Sequence, residues 1–402
     1  MNYIKREQLG VTLLIFGLTF GWILSALLSV ENNGITRVII FASILPFIKN
    51  LRYILKKDIK PILLFLLLYQ LIIITLAIDK GKVDDYIYHF YLFIVITFLI
   101  FSDSNEAEIF SRNRYYYLIG IFINFMLFVE NISRNQLYNR KGIGYTNNYP
   151  VIAFSILAFL FYSLFFYNYK SRLIYIVMNV VLIVVVLINV LSAVSRTAIL
   201  GFILVIVIYF FKTAKNKERW KKKFIFFMIV VIVMIIFNVP ELRNAFNSVE
   251  DIFTRGIKSF IGLDLNYKAE VSALTRRNLR IEAFKKIQTE MNFKELLFGF
   301  GYKDKYLDFP VLQIFMDLGI VGSIPYYIIY IIYPILKIIR KREYTFLDYI
   351  FIMNLLNFIS VGQPYDFIKL VPVVIWYSFS EVFKEKQFEK SYNFCIRNKR
   401  II

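Results

Sequence analysis

The sequence predicts an all-α, polytopic membrane protein with about twelve transmembrane helices of ~20 residues each. A long extracytoplasmic loop lies between the ninth and the tenth. Three observations predict this. The chain is 58% hydrophobic with a mean hydropathy of +0.60, far above soluble globular chains. Several apolar runs reach the length that crosses a bilayer, and a backbone in hydrocarbon satisfies its own hydrogen bonds by coiling into helices. The basic residues fall into alternate loops, as they do in a polytopic chain that obeys the positive-inside bias. Residues 1–402 therefore read as a single integral membrane domain, with 241–309 as its extracytoplasmic loop.

Lys5 and Arg6 precede an apolar run too long for a signal-peptide core, so the first span, near 10–30, reads as a retained anchor. Further spans lie near 35–50, 60–78, 86–102, 115–131, 148–168, 173–191, 195–212 and 223–240; beyond the long loop they lie near 310–336, 346–361 and 365–383. With the N-terminus inside, the inner loops hold Lys49, Arg52, Lys56, Lys57 and Lys60, then Arg112 and Arg114, then Lys170 and Arg172. They continue with the lysine-rich stretch 212–223 and with Lys337, Arg340, Lys341 and Arg342, and the tail adds Lys384, Lys386, Lys390, Arg397, Lys399 and Arg400. The short outer loops hold only Arg37, Lys80, Lys82, Arg134, Arg140, Lys141, Arg196 and Lys369. That asymmetry puts both termini in the cytoplasm, and the long loop does not vote. The same inner loops absorb most of the net charge of +20, so nucleic acid is not an expected partner. There is no repeat of two equal halves, which argues against a transporter built that way. Heavy use of Lys, Ile, Asn, Tyr and Phe points to an AT-rich bacterial genome, and hence to a bacterial cytoplasmic membrane.

No metal and no cofactor are expected. Cys395 is the only cysteine and allows no intrachain disulfide. His89, the only histidine, lies in an apolar run and reads as a packed or hydrogen-bonded residue rather than a ligand. Asp84 and Asp85, adjacent in an outer loop, are the alternative pair for a divalent cation, but Asp79, Lys80 and Lys82 make that loop read as simply solvated.

The outer face carries the chemistry. In RNQLYNRKGIGYTNNYP, 134–150, Arg140 and Lys141 read either as part of a flexible loop before an asparagine cap or as a cationic catch for an anionic lipid head. In SAVSRTAILG, 192–201, Arg196 sits at the mouth of a span among Ser192, Ala193, Ser195, Thr197 and Ala198. It reads either as snorkelling to the interface or, because small neighbours let helices approach, as turned to a bundle interior. Over 276–291, Ala283, Phe284, Ile287 and Met291 form an apolar stripe, predicting an amphipathic helix on the membrane surface. Arg276, Arg277 and Arg280 on it suit a diphosphate, because guanidinium grips phosphate oxygens in two-pronged fashion. In LLFGFGYKDKYLDFP, 296–310, the glycines predict a tight turn whose N–H groups approach a ligand. Asp304 reads as a solvated loop charge; Asp308, just before Pro310, reads as a carboxylate at the interface, where burial suits it to general-base work.

SRTAILG at 195–201, RIEAF at 280–284, LLFGFG at 296–301, DFPVLQIFMDLGIVG at 308–322 and RKGIGYTNNYP at 140–150 together resemble the bacterial O-antigen polymerase and ligase superfamily, capsular polysaccharide polymerases included. The resemblance implies a GT-C-type membrane glycosyltransferase that needs no metal. Its donor is an undecaprenyl-diphosphate-linked oligosaccharide, and its acceptor a sugar hydroxyl. A chain-length regulator and a flippase are the implied partners, with membrane lipid. It assigns Arg196 and Arg280 to the family's essential outer-face arginines, which hold and stabilise the leaving diphosphate. The ligase branch's histidine falls on Asp308, eleven residues before Gly319, and the family's common tryptophan after the loop arginine falls on Phe284. The missing histidine weighs against a ligase and leaves the base open, although a carboxylate can do the same proton transfer. A flippase of lipid-linked oligosaccharide is the rival reading; it needs a charged path through the spans, for which Glu130 is the main candidate. A non-catalytic receptor or scaffold is the other.

Overall fold

The computed structural model describes residues 3–28, 61–79, 114–133, 149–167, 169–193, 195–212, 271–307, 309–341, 344–360, 362–365 and 367–379, with short pieces within 38–45, 89–97 and 220–228. Among these residues all regular structure is helical. The helices are α1 (Tyr3–Leu27), α2 (Pro61–Asp79), α3 (Arg114–Ser133), α4 (Tyr149–Phe161), α5 (Arg172–Ala193), α6 (Arg196–Lys212), α7 (Val271–Glu290), α8 (Phe293–Phe298), α9 (Pro310–Tyr327), α10 (Tyr333–Arg340), α11 (Phe346–Ser360) and α12 (Phe367–Phe379). π-helical turns, Tyr162–Phe166 and Ile328–Ile332, extend α4 and join α9 to α10. Three helical runs, Arg114–Ser133, Arg172–Val190 and Pro310–Arg340, are long and apolar enough to cross a membrane.

The two faces of these helices differ in what they touch rather than in polarity. On α3 the buried face carries Tyr116, Tyr117, Gly120, Ile123, Asn124, Leu127 and Asn131, while Leu118, Phe122, Phe125 and Val129 are exposed. An apolar face left outward is what lipid, not water, selects. Buried asparagines join α3 to α5. Asn131 donates to the Asn189 carboxamide oxygen at 2.9 Å, and Asn189 donates to the Asn124 carbonyl at 2.9 Å, joining α3 to α5. Replacing Asn189 with leucine leaves the Asn131 amide without its acceptor and is expected to cost about 1 kcal/mol. Unfolding in mixed detergent micelles reads that loss as a lowered midpoint, and an unchanged midpoint would show that the asparagines do not brace these helices.

α6 and α11 run antiparallel. Lys212 lies over the Tyr344 ring and Tyr209 beside Tyr349, whereas Gly201 meets Met353, where a Cβ would come within 2.5 Å of the Met353 carbonyl oxygen. At the Lys212 end the core is aromatic: Phe161, Phe165, Tyr209 and Tyr349 interlock, and Tyr117 stacks on Tyr167 at 3.8 Å. The same end is sealed by Asp348, which accepts from Lys341 at 2.6 Å, Trp376 at 2.7 Å and Thr345 N–H at 2.7 Å. Thr345 and Asp348 form a reciprocal cap that starts α11. Four such bonds, counting the Thr345 hydroxyl, satisfy a carboxylate that is fully buried.

The span expected near 310–336 is not one straight helix. Gly319 has φ 60° and ψ −162°, outside the helical region, and breaks α9 in two. The Tyr327 hydroxyl donates to the Val311 carbonyl at 2.6 Å. Sixteen residues of straight helix would hold these apart by about 24 Å, so the arms 310–318 and 320–327 turn to face one another. Only the second arm, continuing to Arg340, has the length to span, at about 30 Å. Its exposed side is a continuous apolar stripe of Val321, Ile324, Ile328, Ile332, Leu336 and Ile339.

Candidate functional site

The bend in α9 organises the opposite end of the bundle from Lys212 and Lys341. A helix broken at Gly319 loses the carbonyl partners of its preceding turn. The Gly-Phe-Gly stretch supplies them: Phe300 N–H donates to the Met316 carbonyl at 2.7 Å, and Gly301 N–H to the Asp317 carbonyl at 3.2 Å. The preceding Gly299 N–H closes α8 on the Glu295 carbonyl at 2.7 Å. This corrects the expectation of a turn whose N–H groups approach a ligand: those of Phe300 and Gly301 are spent on α9 and that of Gly299 on α8. Both crossing points need glycine. A Cβ at Gly299 would lie 2.4 Å from the Asp317 carbonyl carbon, and one at Gly319 the same distance from that of Leu297. α8 can start afresh there because Asn292 and Glu295 form a capping box.

Beneath this strap lies a buried polar cluster. His89 Nε2 and the Tyr302 hydroxyl are 2.7 Å apart, and Tyr365 donates to Asp317 Oδ2 at 3.0 Å. The Tyr302 and Tyr365 rings pack at 4.7 Å, and His89 meets both edge-on. The other polar neighbours of the Asp317 carboxylate are the Lys303 backbone N–H and the Gln313 side chain, neither in full hydrogen-bond geometry to Oδ1. Gln313 Oε1 instead accepts from Leu307 N–H at 3.2 Å. His89 is thus hydrogen-bonded, as its setting implied. The cluster ties the strap, the bend, the 89–97 piece and the turn before α12 into one unit.

Over the strap lies α7. Its packed stripe is Leu279, Ala283 and Ile287, set against Phe300, Leu307, Phe309, Leu312 and Met316. The expected stripe is therefore rotated: Ala283 and Ile287 belong to it, Leu279 joins, and Phe284 is exposed instead. The rotation follows from the loop, which offers its apolar groups to the 279–283–287 line. Ion pairs fix one flank, Lys286 with Asp304 at 2.5 Å and Lys305 with Glu282. Asp304 is thus paired rather than merely solvated.

Arg276, Arg277 and Arg280 are half-buried on α7. The Arg280 guanidinium lies 4.4 Å from the centre of the Phe309 ring. Phe309 is held extended as the residue before Pro310, with φ −145° and ψ 89°. Arg196 is the first residue of α6, and its side chain lies outside the described ones. Since α6 is antiparallel to α11, and the turn after α11 carries Tyr365 onto Asp317, the backbone of Arg196 is at the same end of the bundle as the bend. Asp308, Arg140, Lys141, Asp84 and Asp85 lie outside the described residues.

Asp317 was missed in the sequence, although it stands within the quoted DFPVLQIFMDLGIVG. A lone carboxylate inside an apolar run was the available signal. No family model, curated protein or solved structure matches the chain.

Proposed function

We propose that this membrane protein is a glycosyltransferase that polymerises undecaprenyl-diphosphate-linked oligosaccharide repeat units on the outer face of a bacterial cytoplasmic membrane. About twelve spans in a GT-C-like arrangement, with both termini cytoplasmic, carry it. Its product is a capsule, an O-antigen or a related surface glycan. A sugar hydroxyl of the acceptor attacks the anomeric carbon of the donor. The bond from that carbon to the diphosphate breaks, the diphosphate leaves with the electron pair, and the hydroxyl proton passes to a base, Asp308. Arg196 and Arg280 neutralise the charge that builds on the leaving group. Arg276 and Arg277, with Arg140 and Lys141, hold the lipid head.

One observation carries this reading. Arg280 is held against Phe309 beside the bend, one turn from the half-buried Arg276, at the end of the bundle from which Arg196 opens α6. Seated guanidinium groups at a membrane entry fit a lipid diphosphate better than they fit a neutral substrate.

The test uses purified protein in lipid nanodiscs with lipid-linked repeat units. A ladder of glycan lengths is expected, and Arg196→Ala is expected to abolish it with the protein still folded. Unchanged repeat units after incubation with folded wild-type protein would end the proposal.

A further inference from the structure

α7 has three different flanks. At about 100° per residue, its packed stripe of Leu279, Ala283 and Ile287 divides the helix surface in two. On one side Glu282 and Lys286 are ion-paired to the loop through Lys305 and Asp304. On the other side Ile281 and Phe284 stand 52% and 54% exposed, among Arg277, Lys285 and Gln288. A helix wholly in water would gain nothing from large apolar side chains on one flank and charge pairs on the other. A helix at a boundary gains from both.

The level of α7 in the molecule agrees with this. It packs on Leu312 and Met316 of the first arm of α9, next to the bend. The apolar exposed stripe of the second arm begins at Val321, just past Gly319. α7 therefore lies where the hydrocarbon-facing surface starts.

We propose that α7 is an interfacial helix whose Ile281–Phe284 flank is immersed in the bilayer, with Arg277 and Lys285 among anionic lipid headgroups and the Glu282–Lys286 flank in water. The immersed flank binds the lipid surface itself, whatever reaction the protein catalyses. Basic residues beside the apolar pair commit the occupant to anionic lipid rather than to another apolar protein surface.

The experiment uses the full chain in nanodiscs containing phosphatidylglycerol. In a Cys395→Ser background, Ile281→Cys, Phe284→Cys, Asn278→Cys and Glu282→Cys are each spin-labelled. Ile328→Cys, on the outward stripe of the second arm, is the lipid reference. Collision with oxygen reports lipid, and collision with a water-soluble nickel chelate reports water. The labels at 281 and 284 are expected to shift toward the 328 reference, and those at 278 and 282 toward water. Water-like values at 281 and 284 would overturn the proposal. So would shielding from both reagents, which would mean that another segment of this chain or a second copy covers the flank. All these positions are exposed, and the half-exposed ion pair that Glu282→Cys removes is worth at most about 1 kcal/mol, so the labels leave the fold intact. Ladder formation is read separately, so failure here and failure of the polymerase reading are distinct.

Discussion

Gly319→Ala is expected to destabilise the folded protein by about 3 kcal/mol or more. Gly319 sits at φ 60° and ψ −162°, a backbone region that is essentially closed to residues with a Cβ. The added carbon would also meet the Leu297 carbonyl carbon and oxygen at 2.4 Å. Neither side yields easily. Leu297 lies in α8, which is capped at Asn292 and closed by the Gly299 N–H. The carbonyls of Met316 and Asp317 are already bonded to the strap. Relieving the clash means separating α8 from α9, which takes from two carbonyls their strap partners. The measurement is the thermal midpoint of purified protein in one detergent. The control is Val321→Ala, on the outward stripe, expected to change stability by less than about 0.5 kcal/mol. Equal midpoints for Gly319→Ala and wild type would mean that the bend is not needed for the fold.

On the polymerase reading proposed above, Arg280→Ala is expected to lower the rate of chain growth by about 100-fold or more, the scale found when one preorganised stabiliser of a developing charge is removed. The loss in stability is expected to be smaller, about 1 kcal/mol, from the stacking on Phe309. The separation of the two readouts is what identifies the role. Arg280→Lys keeps the charge and a cation over the ring but loses the planar two-pronged grip. It is expected to recover the stability while recovering only part of the rate. Comparable loss of rate and of folded protein in Arg280→Ala would assign the residue to packing alone. Full activity would remove it from the site.

Much of this architecture was legible in the chain. Apart from α7 and α8, the helices sit on apolar runs because hydrocarbon forces the backbone into helix, and α9, α11 and α12 begin close to where hydropathy rises. His89 was legible as a bonded residue because a polar ring in an apolar run has no water to turn to. The Gly-Phe-Gly stretch was legible as a special turn but not for its purpose. A ligand and a second strand of backbone make the same demand on glycine, which is close approach, and local sequence cannot say which is present. Of the stripe expected on α7, Ala283 and Ile287 are packed, Phe284 is exposed and Met291 lies past the helix end, for a related reason: Phe284 is as apolar as Leu279, and only the loop at 300–309 decides which is covered.

Composition and periodicity determined that the described residues are helical, with runs long and apolar enough to cross a membrane, because those properties act on each segment alone. They also marked the polar helix and its arginines. The tertiary structure decided that the run after Pro310 folds back on itself at Gly319, and that the strap's N–H groups serve α9. It also decided that Asp317, Tyr365, Tyr302 and His89 meet. The reason is that each of these is a contact between segments far apart in the chain. Its energy depends on what the other segment brings, and neither segment records that by itself.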